Sequence, residues 1–134
     1  SYPAMKDAQV DVRLGTDGSA SNNSLDMRAE AKAASLVQKH DHWDARVLDP
    51  LETWQLATKN SKDWITWNLD DIRMRPFGRD GRRLLANVLY SGGSVLDVFV
   101  DGEALRCDGV TLTIDEKAAA EAIEIAATDY YSEL

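Results

Sequence analysis

Apolar residues recur along this chain with two different periods. Val10, Val12 and Leu14 fall at every second position, so they share one face of an extended segment, and the alternation predicts a short strand over residues 9–14. Residues 15–24 follow with two glycines and several turn formers, the composition of a flexible loop. Leu25, Ala29, Ala33, Leu36 and Val37 then recur at helical spacing and predict a first helix over residues 24–39, its apolar stripe turned to the core. Asn23 or Ser24 is placed to cap it, because a short side-chain oxygen reaches the free amides of a first turn, and Asp26 complements the helix dipole there. A second helix is expected over residues 50–59, with Asp49 as cap, Pro50 in the first turn, and Leu51, Trp54, Leu56 and Ala57 on its apolar face.

Residues 63–69, rich in aromatic and β-branched side chains, predict a strand, and residues 72–75 a continuation after Asp70-Asp71. Pro76, Gly78 and Gly81 break the chain. Leu84, Leu85, Val88 and Leu89 favour a short helix over residues 82–90, ended by Ser91-Gly92-Gly93. Residues 95–100 and 110–114 are strand-like, and Asp101-Gly102 and Asp108-Gly109 are two-residue hairpin signals, so a three-stranded antiparallel meander is expected. Asp115 then caps a final helix reaching about Tyr131. Ala119, Ala122, Ile123, Ala126 and Tyr130 form its core face, and Lys117, Glu121, Glu124 and Thr128 its wet face. The class this implies is α+β: helices in the first half, then the meander, then a C-terminal helix. Residues 1–134 read as one small domain, in which 1–23 form a strand and flexible loop and 96–134 an acidic meander plus helix.

Composition agrees with an ordinary folded domain: 134 residues, 44% hydrophobic and 28% charged. The net charge is −8, and its distribution says more than its sum. Residues 1–95 carry 13 basic and 13 acidic side chains, whereas residues 96–134 carry 2 against 10. Cys107 is the only cysteine, so no intrachain disulfide and no cysteine-based zinc site can form, and a reducing, cytoplasmic setting is expected. Apolar runs are only a few residues long, against the roughly 20 needed to cross a bilayer. The first residues lack the pattern of a secretory signal, and the absence of an initiating Met suggests a removed tag, processing or excision.

Four sets of residues carry candidate chemistry. His40, His42 and Asp44 lie in His40-Asp41-His42-Trp43-Asp44, which superficially resembles the H-x-H-x-D run of metallo-β-lactamase-like hydrolases. Ala45 stands where that pattern has a further His, and no distant histidines exist, so a dinuclear site is excluded. A single ion on these three donors is chemically feasible only if the chain is extended, since residues two apart diverge on a helix. Asp97 on one strand, with Asp115-Glu116-Lys117 ending another, resembles in local order the restriction-endonuclease-like nucleases. That resemblance implies Asp97 and Asp115 as Mg²⁺ ligands with Lys117 beside the attacking water, and a helix cap is the competing role of Asp115.

Arg73, Arg75, Arg79, Arg82 and Arg83 crowd into eleven residues opposed only by Asp80. Guanidinium forks suit RNA phosphates, a phosphate ligand or a carboxylate surface, and pairing with the acidic C-terminal third is the favoured alternative. Trp64 and Trp67 point to opposite faces of a regular strand, which leaves one available as an interface anchor. Asn22-Asn23-Ser24 has the form of a glycosylation sequon, and no serine or cysteine lies in a recognisable nucleophile motif.

With no complete catalytic or cofactor motif, the sequence by itself favours a non-enzymatic acidic interaction or assembly protein, such as a viral or mobile-element accessory protein or an immunity-type inhibitor. On this view it needs no cofactor, acts as a homodimer, and meets a basic partner through Glu121 and Glu124 without engaging a membrane. A Mg²⁺-dependent nuclease and an RNA-binding module through the arginine cluster are the alternatives.

Overall fold

The computed structural model describes residues 1–58 and 62–132. Among the described residues six helices and four strands follow one another as α1 (Tyr2–Asp7), α2 (Ser19–Asn22), α3 (Met27–His42), α4 (Pro50–Thr58), β1 (Trp64–Trp67), α5 (Gly81–Ser91), β2 (Val95–Val100), β3 (Glu103–Cys107), β4 (Val110–Thr111) and α6 (Glu116–Ser132), with a 3-10 turn at Ile72–Met74. The class is the expected α+β. The chain packs as two compact units: a helical one from residues 1–61 and 68–93, and a sheet-containing one from residues 62–67 and 94–134.

In the helical unit α3, α4 and α5 pack on one another around Ala31, Ser35, Leu48, Thr53, Met74, Val88 and Leu89, all buried. Helix α3 starts later than its apolar spacing suggests. Asp26 is the cap, its carboxylate accepting from the amides of Arg28 and Ala29, while Ser24 accepts from the Asp26 amide one turn earlier. The helix runs on to His42 and stops at Trp43 in a left-handed conformation. Its buried residues are Ala31 and Ser35; Leu36 and Val37, expected in the core, are 47% and 61% exposed. Small side chains on the inner face let α3 approach its neighbours closely, and its larger apolar side chains point the other way.

Three further expectations change in this unit. The N-terminal stretch contains α1, with Pro3 in its first turn, and Tyr2 is buried against α3 and α4 by bonds from its amide to Gln38 and its hydroxyl to Glu52. Residues 10–17 are extended, with Val12, Leu14 and Thr16 half-buried and Asp11, Arg13, Gly15 and Asp17 exposed, yet among the described residues no strand pairs with them. Residues 72–74 form a 3-10 turn rather than a strand, because Asp71 caps the Arg73 amide and closes a helical turn. Helix α4 matches its expected start, and its expected end at Lys59 lies outside the described residues. Helix α5 forms as expected, capped by Asp80 and ended at Gly92.

In the other unit the meander gains a strand. The sheet order is β1-β2-β3-β4, antiparallel throughout, with β1 joining from an earlier part of the chain. Both hairpin turns have positive φ at both central residues, Asp101 and Gly102, then Asp108 and Gly109, the geometry that matches the twist of antiparallel strands. Strand β4 is shorter than expected, two residues. Asp115 caps α6 by accepting from the amides of Lys117 and Ala118. The expected core face of α6 is not buried: Ile123 is 68% and Tyr130 62% exposed.

Candidate functional site

The helical unit places one carboxylate at the carboxyl end of its strand-like segment. Asp17 follows Thr16 and precedes Gly18, with its own φ at +57°, a left-handed conformation that aspartate tolerates better than most residues because its side chain bonds locally. Here its Oδ1 accepts from the Gly18 amide at 2.7 Å. The Thr16 hydroxyl donates to the Asp17 carbonyl, and the Asn22 side-chain amide donates both to the Thr16 carbonyl at 3.0 Å and to Glu30 at 2.7 Å. The segment expected to be a flexible loop is therefore tied through α2 to α3. Asp17 itself is exposed, with no cation paired to it among the described residues.

The histidine run does not assemble a metal site. Residues 40–42 lie on α3, so His40 and His42 diverge. His40 packs obliquely on Trp43, ring centroids 5.5 Å apart, and His42 sits beside Asp41 at 3.4 Å. Asp44 is committed to Arg46, whose guanidinium grips both carboxylate oxygens and holds the Asp44 pKa down at about 2.

The arginine cluster is divided. Arg73 pairs with Asp71 at 2.6 Å and Arg75 with Asp70 at 3.2 Å, Arg75 also lying over the Phe77 ring. These partners are two and five residues away, not in the acidic C-terminal third. Arg79, Arg82 and Arg83 are exposed on the approach to α5 and its first turn. Of the tryptophans, Trp64 is 49% exposed and stacks on Phe99 with centroids 3.9 Å apart, and Trp67 is half-buried beyond an irregularity in the β1–β2 register.

On the sheet, Asp97 accepts from the Thr66 hydroxyl at 2.6 Å and from the Asp108 amide at 3.0 Å. These bonds hold its carboxyl below the usual range. Asp97, Cys107 and Asp108 bring one possible ligand atom each within 4.8 Å of one another. Partial desolvation by its neighbours pushes the thiol of the exposed Cys107 up, and the Asp108 and Asp97 charges add to that, which disfavours the thiolate a metal requires. Asp115 is occupied in capping α6, and Lys117 is exposed beside Glu121 at 3.9 Å. Asp97 thus works within the sheet and Asp115 at a helix end. Glu121 and Glu124 are both exposed on α6. A groove beside α1 is lined by residues that include Tyr2, Lys6, Asp7, Asp44, Arg46 and Glu52, and within it Lys6 pairs with Glu52 and Arg46 with Asp44.

No protein family model matches the chain. Curated proteins do. The chain is 36% identical, over 130 aligned positions, to the 5-methylthioadenosine/S-adenosylhomocysteine deaminase 1 of Archaeoglobus fulgidus, the match covering 87% of this chain and 31% of that protein. It is 36% identical over 134 positions to the 5'-deoxyadenosine deaminase of Methanothermobacter thermautotrophicus, covering 90% and 31%. It is likewise 36% identical over 132 positions to the 5-methylthioadenosine/S-adenosylhomocysteine deaminase of Pyrococcus furiosus, covering 87% and 32%. The chain thus spans about a third of the length of the curated relatives it matches. Among solved structures, the fold is similar to part of an adenosine deaminase from Xanthomonas campestris with bound zinc: TM-score 0.80, 24% identity, 98% of this chain and 33% of that one.

These likenesses overturn the functional expectation drawn from the sequence. A non-enzymatic acidic assembly protein, whether viral accessory factor or immunity-type inhibitor, does not fit a chain whose curated relatives are named deaminases. Nor are those relatives named as nucleases or RNA-binding proteins. The inference from charge went astray because regional acidity describes a surface and carries no information about chemistry performed elsewhere. Asp17 is not among the candidates that the sequence singles out. Its signal was present: an acid at the end of an alternating segment and ahead of a capped helix, the place where α/β units carry ligand-binding groups.

Proposed function

We propose that this chain supplies about a third of a deaminase that removes the amino group of an adenosine-type nucleoside. The observation that carries the proposal is the 36% identity to the Archaeoglobus fulgidus deaminase, sustained over 87% of the chain. Deamination of a purine ring exchanges an amino group for oxygen: water adds, the carbon–nitrogen bond breaks, and ammonia leaves with an added proton. A positioned carboxylate serves such a reaction by taking a proton from water and passing it on. Asp17 fits that work. It is exposed, it ends the strand-like segment, and its backbone is held in place by the Asn22 bond to Thr16.

Zinc is present in the Xanthomonas campestris deaminase. The donors described in this chain do not by themselves build a site for it: the one convergent trio, Asp97, Cys107 and Asp108, has no histidine, and its thiol is biased toward the protonated form. No step is therefore assigned to a metal held by this chain alone. A reducing, cytoplasmic setting belongs to the same proposal, supported by the single exposed Cys107. Among the described residues no helix is long and apolar enough to cross a membrane.

The test is a chimera in which this chain replaces the matched segment of the Archaeoglobus fulgidus enzyme. Ammonia release from 5-methylthioadenosine, S-adenosylhomocysteine and 5'-deoxyadenosine is measured, with folding checked by circular dichroism. The proposal predicts release from at least one of the three. A folded chimera that releases none contradicts it.

A further inference from the structure

Asp17 is held through both peptide groups that flank it. On its C-terminal side its carbonyl accepts from the Thr16 hydroxyl at 3.1 Å, and its Oδ1 accepts from the Gly18 amide at 2.7 Å. Both bonds are made by its neighbours in sequence. On its N-terminal side the Thr16 carbonyl accepts from the Asn22 side-chain amide at 3.0 Å. Among the described residues this is the one bond to Thr16 or Asp17 that comes from outside residues 16–18. The adjoining glycines do not dictate the turn. Neither Gly15 nor Gly18 has an atom within 4 Å of where a Cβ would stand, and Gly18 is ordinary extended backbone with φ at −78°. The left-handed φ of Asp17, +57°, is therefore sustained by these three bonds, as an unfavourable backbone conformation must be by its surroundings.

Asn22 is itself anchored. An amide nitrogen carries two hydrogens, and Asn22 also donates to Glu30 Oε1 at 2.7 Å. A bond to a carboxylate is the stronger kind. Glu30 is half-buried in the first turn of α3, a turn fixed by the Asp26 cap. Helix α2, which carries Asn22, has four residues, too few to hold a helical conformation alone. The Glu30 bond ties its end to the 16 residues of α3.

We propose that Asn22 is a positioning residue for Asp17 and that Glu30 positions Asn22 in turn, so that α3 sets the placement of the carboxylate through the Thr16 carbonyl. Asp17 Oδ1 is taken by the Gly18 amide, while Oδ2 has no hydrogen-bond partner among the described residues and is open to water or substrate. This role rests on the deaminase reading, in which Asp17 moves a proton. A group that must meet water at one atom loses much of its effect when displaced by about an ångström.

Two measurements test the assignment. In the full chain, the NMR coupling between the Asp17 amide and α protons reports φ, and Asn22→Ala is expected to move Asp17 out of the left-handed region. A φ that stays near +57° in that variant overturns the proposal. In the chimera with the Archaeoglobus fulgidus enzyme, Asn22→Ala and Glu30→Ala are each expected to lower kcat at least about tenfold with KM within about twofold. Glu30→Gln keeps the accepting oxygen and should stay within about threefold of the wild-type rate. The double alanine variant should fall no more than about threefold below Asn22→Ala, because the two residues act as one unit. A kcat unchanged by Asn22→Ala, losses that multiply in the double variant, or a change in KM alone overturns the proposal. Glu30→Ala leaves the Asn22 bond to Thr16 in place and carries both measurements if Asn22→Ala does not fold. A wild-type chimera without activity contradicts the deaminase reading instead, and the φ of Asp17 then decides the positioning by itself.

Discussion

Ser35 and Leu36 are neighbours on α3, and their burial is the reverse of their polarity: the serine is fully buried and the leucine is 47% exposed. The Ser35 hydroxyl bonds the Leu48 carbonyl at 2.9 Å and the Tyr90 hydroxyl at 2.9 Å, so it ties α3 to the loop before α4 and to α5. The two residues should therefore answer to mutation in opposite ways. In the isolated chain, Ser35→Ala is expected to cost about 1 kcal/mol, the usual worth of a hydrogen bond whose partners are part-satisfied elsewhere; Thr53 and Lys39 still donate to the Leu48 carbonyl. Leu36→Glu should stay within about 0.5 kcal/mol, as exposed substitutions do. Urea denaturation of both variants checks the contrast.

Tyr2 offers a test at the alkaline end. Burial and the Glu52 carboxylate push its phenol up to about 12 from 10.0. Because the folded pKa is the higher one, the stabilisation it contributes is complete below pH 10.0 and is lost as pH rises through about 12. Phenolate absorbance should titrate late for one of the four tyrosines, and Tyr2→Phe should remove that late component. A titration of all tyrosines near the ordinary value would mean that α1 does not dock in solution.

Asp97 gives the acid counterpart. The Thr66 hydroxyl, then the Asp108 amide, depress its pKa. With the folded value lower than the unfolded one, its stabilising contribution is present above the ordinary carboxyl range and fades as pH falls through the folded value. Carboxyl resonances followed by NMR should show Asp97 titrating below the ordinary aspartate value of 3.8, and Thr66→Val should move it up. No movement in that variant would show that the side-chain bond is absent in solution.

The hairpin turns make a backbone prediction. Gly109 has φ at +79° and no atom within 4 Å of where a Cβ would stand, so Gly109→Ala should cost about 1 kcal/mol through backbone conformation alone. Thermal unfolding of the variant checks it, and a loss several times larger would point to a packing role.

What the sequence made legible follows the range of the interactions. Asp49 and Asp115 as helix caps, and Asp101-Gly102 and Asp108-Gly109 as turns, are decided within a few residues, and each forms as expected. Pairing of β1 with β2 joins Trp64 to Phe99 across 35 positions, and no local pattern reports it. The α3 stripe misled for a different reason. Periodicity identifies an apolar face but not what covers it, so Leu36 and Val37 read as core although the core here is built by Ala31 and Ser35. His40 and His42 diverge because α3 runs through to His42, which the local sequence does not report. Asp17 is not distinguished locally because the glycines and small polar residues around it resemble any loop, and the Asn22 bond that fixes the preceding Thr16 carbonyl spans six positions through α2.

The proposed part of this chain in a nucleoside deaminase counts Asp17 among the working residues. The most direct measurement is ammonia release from 5-methylthioadenosine by the chimera carrying the wild-type chain and by the same chimera with Asp17→Asn. The substitution keeps the shape and removes the proton-accepting charge, so the account predicts a fall of about a hundredfold or more while Asp97→Asn leaves the rate within about twofold, as expected of a group outside the chemistry. Equal rates for the wild-type and Asp17→Asn chimeras would contradict it.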